Sequence, residues 1–330
     1  MGERERVILE LLYEAEVCPE RFFKQIGYEY STLRKLINRM VKEELVEKIV
    51  MRNYEYEAIN CLRITRKGCK KIGKSALRSL PKDMIDRFTR LRYGCLHVWL
   101  HKVRHRNISG FENKNIISLK NTDKVRGSRA HAYFGNGTNS IILYNAYEPF
   151  RFLTKRNVEE RFVVQCESEL KEKVLCRVVT AKTEQFLANA LKEDEEVKVN
   201  NGSSLIMLKD RPLYFVSLNE RGRTDLYLIM QNANDRILNY LLAEGYLKEE
   251  KKSPYLVFHA RAGDNKLVYV GTNYDVGLLR LLHDYDSVCK SPYYIYCFQH
   301  QAAFYKENFK NAIIREFDIN KVSERLGFEL

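Results

Sequence analysis

Hydrophobic residues at the start of the chain recur at helical spacing. Val7, Ile8, Leu11 and Leu12 form one stripe and predict a first helix over Arg4 to Glu14. Val17-Cys18-Pro19 interrupts it, and Pro19 suits the first position of a short second helix carrying Phe22, Phe23 and Ile26, which Gly27 would close. A third helix is expected from Ser31, a favourable N-cap. Its apolar positions Leu33, Leu36, Ile37, Met40 and Val41 are spaced to give one buried face. The opposite face presents Thr32, Arg34, Lys35, Asn38, Arg39 and Lys42.

Two β-like runs follow, Leu45 to Met51 and Glu57 to Ile64, around the polar and aromatic tip Arg52-Asn53-Tyr54-Glu55-Tyr56. Three helices, a strand, a tip and a strand is the order of a winged helix-turn-helix. The exit through Thr65-Arg66-Lys67-Gly68 into a further helix fits that order. Residues 76–108 read as a helix that Pro81 helps to start, with Met84, Ile85, Phe88, Leu91, Leu96 and Trp99 as its apolar positions. The polar stretch Ser109 to Gly127 then reads as a linker.

From residue 129 the pattern alternates between strands and helices. Strands are expected at Ala130–Phe134, Ser140–Leu143, Val174–Thr180, Ser204–Leu208, Leu213–Leu218, Asp225–Met230, Leu256–Ala260, Leu267–Val270 and Tyr293–Phe298. Asn136-Gly137 between the first two is a hairpin signal. Helices are expected at Lys155–Glu172, Glu184–Lys192, Ala233–Ala243 and Val276–His283. No internal repeat and no low-complexity segment stands out. The expected division is a winged helix over 1–78, a basic helix and linker over 79–127, and an α/β domain over 128–330.

Composition changes this picture in two ways. A chain of 330 residues with 45% hydrophobic residues can bury two cores. No apolar run approaches the roughly 20 residues that span a bilayer, and Met1 to Leu12 carries charges of both signs, unlike a signal peptide. A cytoplasmic protein with no membrane partner is expected. The net charge of +13 is concentrated: residues 61–130 hold 19 Lys/Arg against 4 Asp/Glu. A basic excess confined to the segment behind the expected wing suits a phosphate-contacting surface. The eight cysteines are scattered without a C-x-x-C pair and are expected as reduced, small hydrophobes.

The chemistry follows from the third helix. In a helix-turn-helix this helix enters the major groove. Arg34 and Lys35 are placed for guanine edges or phosphates, and Asn38 for an adenine edge. Ser31 and Thr32 suit a phosphate contact at the helix N-terminus. Arg39 and Lys42 extend this face, which holds no acid from Ser31 to Val41. Arg52 and Tyr54 would add a backbone or minor-groove contact. Arg63, Arg66, Lys67, Lys70, Lys71, Lys74 and Arg78 are candidate phosphate contacts, which supply affinity and salt dependence with little discrimination.

Catalytic patterns are sparser. His97, His101 and His105 recur every four residues, but Lys102, Arg104 and Arg106 would repel a divalent cation and no carboxylate stands nearby. Neither a metal nor another cofactor is expected. A PD-(D/E)xK nuclease site needs an acid on one strand and acid-x-Lys on the next. Glu169-Leu170-Lys171 lies on an expected helix and Asp194-Glu195-Glu196-Val197-Lys198 in a charged turn, while Asp264 and Asp275 flank an expected strand. Walker, G-x-S-x-G and H-E-x-x-H motifs are absent.

The winged-helix stretch from Val7 to Ile72, the basic helix and the α/β domain resemble the Replication-relaxation family of plasmid- and conjugative-element-encoded proteins. Ser128-Arg129-Ala130, Gly137 and Ile141-Ile142-Leu143-Tyr144-Asn145, leading into a helix with Glu159 and Glu160, resemble the middle of such proteins from mobile elements of Gram-positive bacteria. The resemblance implies DNA binding at the element's origin and a second domain related to PD-(D/E)xK folds in degenerate form. The expected fold class is α+β, a winged helix followed by a mixed α/β domain. The expected function is that of a double-stranded DNA-binding accessory protein at an origin of transfer or replication. Its expected partners are a relaxase or replication protein and a second copy of the chain. A metal-dependent nuclease and a ligand-sensing winged-helix repressor are the alternatives.

Overall fold

The Val7–Leu12 stripe forms α1 (Glu3–Ala15), with Ile8, Leu11 and Leu12 buried. The computed structural model describes residues 1–52, 58–104, 106–114, 130–145, 156–192, 211–250 and 257–330. These residues have mixed α+β architecture with three sheets and fall into two units, Met1–Arg106 and Asn107–Leu330.

In the first unit Pro19 does not open the second helix. It closes a short strand β1 (Cys18–Pro19) and caps α2 (Glu20–Phe23). A 3-10 turn, Lys24–Ile26, then ends at Gly27 with φ of 92°, a left-handed conformation that favours glycine. Next come α3 (Tyr30–Lys42), β2 (Val46–Arg52), β3 (Ala58–Ile64), α4 (Arg66–Lys71) and α5 (Met84–Arg104). The sheet runs β1-β3-β2, antiparallel throughout, with Cys18 opposite Leu62 and Val46 opposite Ile64. Ile8, Leu12, Phe23, Leu33, Ile37, Met40 and Leu62 form the core.

Helix α5 belongs to the first unit. It falls within the expected linking segment 79–127, yet it contributes Val98 to the N-terminal core. Gly94 lies so close to the chain between α1 and β1 that a Cβ there would meet the Val17 carbonyl oxygen at 1.8 Å. The helix also starts later than expected, at Met84. Pro81 has no N–H to donate, and the Asp83 carboxylate accepts from the Asp86 amide at 3.1 Å, so the cap falls after the proline.

The second unit holds β4 (Glu112–Lys114), β5 (Ala130–Gly135), β6 (Asn139–Asn145), α6 (Arg156–Leu170), β7 (Lys173–Ala181), α7 (Gln185–Lys192) and β8 (Leu213–Ser217). It continues with α8 (Glu220–Met230), α9 (Ala233–Ala243), β9 (Leu247–Glu249), β10 (Ala260–Ala262), β11 (Leu267–Val270) and α10 (Val276–Val288). The chain ends in β12 (Tyr293–Phe298), α11 (Ala302–Asn308), β13 (Ala312–Phe317) and α12 (Ile319–Leu326). One sheet runs β4-β5-β6-β7-β8 and the other β9-β10-β11-β12-β13. In each, the first two pairings are antiparallel and the last two parallel. A topological repeat is therefore present where the sequence shows none, because strand order depends on connections and polarity rather than on residue identity.

Several expected elements move. Asp225–Met230, expected as a strand, is the second half of α8, which Asn219 starts by accepting from the Gly222 amide at 2.9 Å. A short, almost wholly apolar run is ambiguous between buried helix and strand. Helix α10 runs on to Val288, and only Ala260 of the expected Leu256–Ala260 strand lies in β10. The Ser204–Leu208 strand falls outside the described residues. At Asn136-Gly137 the hairpin forms as expected, with Gly137 at φ 87° and Asn136 Oδ1 accepting from the Asn139 amide at 2.8 Å. Phe215, Tyr269, Tyr274 and Ile295 share one core, and α9 and α12 cover part of the other face of the second sheet around Val268, Val270 and Phe298. Among the described residues no helix is long and apolar enough to cross a membrane.

Candidate nucleic-acid interface

Leu33, Ile37 and Met40 anchor α3 in the core. That orientation leaves Arg34, Lys35, Asn38 and Lys42 exposed along one face. Among the described residues these four side chains have no hydrogen-bond or ion-pair partner. They form a row of three cations and one amide, each end group unengaged.

The two ends of the face differ from expectation. Glu29, not Ser31, caps α3, and its carboxylate accepts from the amides of Ser31 and Thr32 at 2.9 and 3.0 Å. The Ser31 and Thr32 hydroxyls also donate to it, at 2.5 and 2.9 Å. These bonds, the Ser31 hydroxyl first, pull the Glu29 carboxyl down to about 2. The donors expected to meet phosphate already serve a carboxylate. Arg39 pairs with Glu5 of α1 instead of lying with the other cations.

Helix α4 sits beside the end of α3. Thr65 caps it, accepting from the Gly68 amide at 3.1 Å and donating to the Glu44 carbonyl at 2.6 Å. A Cβ at Gly68 would meet the Leu45 carbonyl oxygen at 2.3 Å, so glycine permits the close approach. Lys67 and Lys71 reach Glu44 and Glu43 at 3.2 and 3.4 Å. Arg66 and Lys70 are exposed. Arg63 pairs with Glu47 at 3.4 Å and donates to the Arg78 carbonyl. Part of the basic stretch is thus neutralised within the unit. Arg52 ends β2 opposite Ala58, and Tyr54 lies outside the described residues.

The remaining candidates resolve into packing. His97 Nδ1 lies 3.4 Å from Arg104, and burial, followed by the Arg104 charge, lowers its pKa to about 4. His105 lies outside the described residues. Among the described residues no group of three His, Cys, Asp or Glu could hold a metal ion. Six cysteines are buried and two are half-buried. Burial pushes the Cys61 thiol up to about 12, which leaves it neutral.

The acids are similarly employed. Glu169 lies in the last turn of α6. Asp264 bonds to Lys266 and accepts from the Tyr294 hydroxyl, and Asp275 caps α10. Asp194 to Lys198 lies outside the described residues. Glu112-Asn113-Lys114, an acid-x-Lys on strand β4, escaped the sequence motifs. Its lysine is 2.5 Å from Glu172, a fully buried carboxylate that also accepts from the Gly137 amide at 2.6 Å and so pins the hairpin. A buried network escaped them too. Asp225 is 2.8 Å from His300 Nε2 and 3.2 Å from Gln301, which donates to the Thr272 carbonyl at 3.1 Å. These residues come from distant segments, so no local pattern announces them.

No protein-family model, no curated protein and no solved structure matches this chain.

Proposed function

We propose that the N-terminal unit is a winged helix whose α3 docks in the major groove of double-stranded DNA. One observation carries this reading: Arg34, Lys35, Asn38 and Lys42 project from a single face of a helix whose opposite face is buried. Guanidinium and amide groups in such a row match guanine and adenine edges, while Lys35 and Lys42, with Arg66 and Lys70 from α4, match the flanking phosphates.

The chain then serves as a DNA-binding accessory protein at an origin of transfer or replication, as its resemblance to the Replication-relaxation family implies. Its second unit would recruit a relaxase or replication protein. Asp264, Asp275 and Lys114 each already serve a local partner, which favours this reading over that of a metal-dependent nuclease.

The test starts from DNA fragments captured by the purified protein and sequenced. Arg34→Ala with Asn38→Ala should weaken binding to the captured site more than to unrelated duplex, since base contacts carry about 1–3 kcal/mol each of discrimination. Equal weakening on both would restrict those residues to phosphate. Unchanged binding on both duplexes would remove α3 from the interface and the reading with it.

A further inference from the structure

The second sheet of the C-terminal unit has one face that its helices do not fully cover. Register places Tyr294, Tyr296 and Phe298 of β12 beside Ile313, Arg315 and Phe317 of β13. Phe298 is buried, whereas Ile313 and Arg315 are exposed. A cleft of about 390 Å³ opens there, lined by Tyr246, Gly263, Asp264, Tyr294, Tyr296 and Arg315. Nothing lies within 4 Å of the place where a Cβ on Gly263 would stand, so the floor is open to a ligand.

The chemistry of the lining is consistent. Tyr246 is 58% exposed, with its ring centre 6.4 Å from that of Tyr240. The Arg315 guanidinium stands 5.0 Å from the Tyr294 ring centre and the Lys266 ammonium 5.4 Å from it. Asp264, fixed by Lys266 and the Tyr294 hydroxyl, is an ionised acceptor at the rim. Flat rings, the Arg315 cation and one oriented acceptor complement a stacked base, the phosphate attached to it and an N–H on the base edge.

The geometry points to a second nucleic-acid site in this cleft, one that takes unpaired bases of a single strand. The site is separate from α3 and does not depend on duplex binding there. Tyr246 and Tyr296 supply stacking surfaces, Arg315 holds the backbone phosphate and Asp264 accepts from the base.

The probe is a fluorescein-labelled oligothymidine of about ten nucleotides, within the usual span of a single-strand site. Anisotropy is read in the Arg34→Ala, Asn38→Ala background, so that the fate of the duplex reading does not obscure the result. Tyr246→Ala and Arg315→Ala should each weaken binding about tenfold, and Tyr246→Phe should retain it. Equal melting temperatures would show that the variants are folded. Crosslinks from a 4-thiothymidine probe should map to peptides containing Tyr246 or Tyr296. Affinity unchanged in both alanine variants overturns the proposal. Arg315-dependent binding of polyglutamate, with none of oligothymidine, also overturns it and assigns the cleft to an acidic peptide.

Discussion

Arg39 reaches back from α3 to Glu5 of α1, with Nη2 and Oε1 2.5 Å apart. The Glu5 side chain is only 9% exposed, and its other oxygen accepts from the Gly2 amide at 2.9 Å. Arg39 therefore ties the third helix to the first, although its sequence position would place it with the unpaired cations of that helix. Arg39→Ala should lower unfolding stability by about 1 kcal/mol, the scale of removing a charged hydrogen bond from a half-exposed pair. The salt slope of duplex binding should stay where it is. A shallower slope with an unchanged urea midpoint would return Arg39 to the interface.

The same distinction separates the lysines of α4. Lys70 is exposed, while Lys67 and Lys71 have Glu44 and Glu43 beside them. Removing one cation that meets a phosphate should reduce the slope of log K against log salt by about 0.9. Lys70→Ala should show that full reduction. Lys67→Ala and Lys71→Ala should show less, because both cations are partly neutralised before DNA arrives. Equal slopes for all three variants would mean that the exposed ion pairs open freely on binding.

His97 predicts a pH dependence. Its folded pKa of about 4 lies below the usual 6.5 because burial, and then the Arg104 charge, disfavour the imidazolium. A depressed pKa gives stability that is present above pH 6.5 and lost as the pH falls toward 4. The urea midpoint should drop across that window, and His97→Gln should flatten the drop. If the variant titrates with the same slope, another group is responsible.

Local pattern made the N-terminal elements legible. The stripe Leu33, Ile37 and Met40 marks which side of α3 is buried, and Asn136-Gly137 marks a hairpin. Tertiary choices were not legible. Pro19 could open a helix or close a strand, and pairing with Cys61 decided it. Asp225 to Met230 could be strand or helix, and the Asn219 cap decided that. The Tyr294, Tyr296 and Arg315 cleft needs two strands in parallel register, which no window of sequence contains. Along α3, periodicity identified the exposed side but not the state of each cation on it. Glu5, 34 residues from its partner, took Arg39 out of the row.

Glu29 bears most directly on how α3 would meet DNA. A helix N-terminus ordinarily attracts phosphate through its free amides and its dipole. Here the Ser31 and Thr32 amides point at a carboxylate of the same chain, and the charge remains at every physiological pH because its pKa sits near 2. Phosphate must therefore displace Glu29 or keep away from this end. Glu29→Gln keeps an acceptor for the two amides and removes the charge, so duplex affinity should rise about threefold at low salt, the scale of one charge at a helix end. The gain should shrink as salt screens it. The sign for folding is the reverse of that for binding. The wild-type carboxylate stabilises the fold above pH 4.5 and loses that effect as pH falls through about 2, so only the wild type should show this acid-side decline. Carbon-detected NMR titration of Glu29 would give the pKa, and paired binding curves the affinity. An affinity that falls in Glu29→Gln would mean that the cap orders α3 for docking more than its charge repels the backbone.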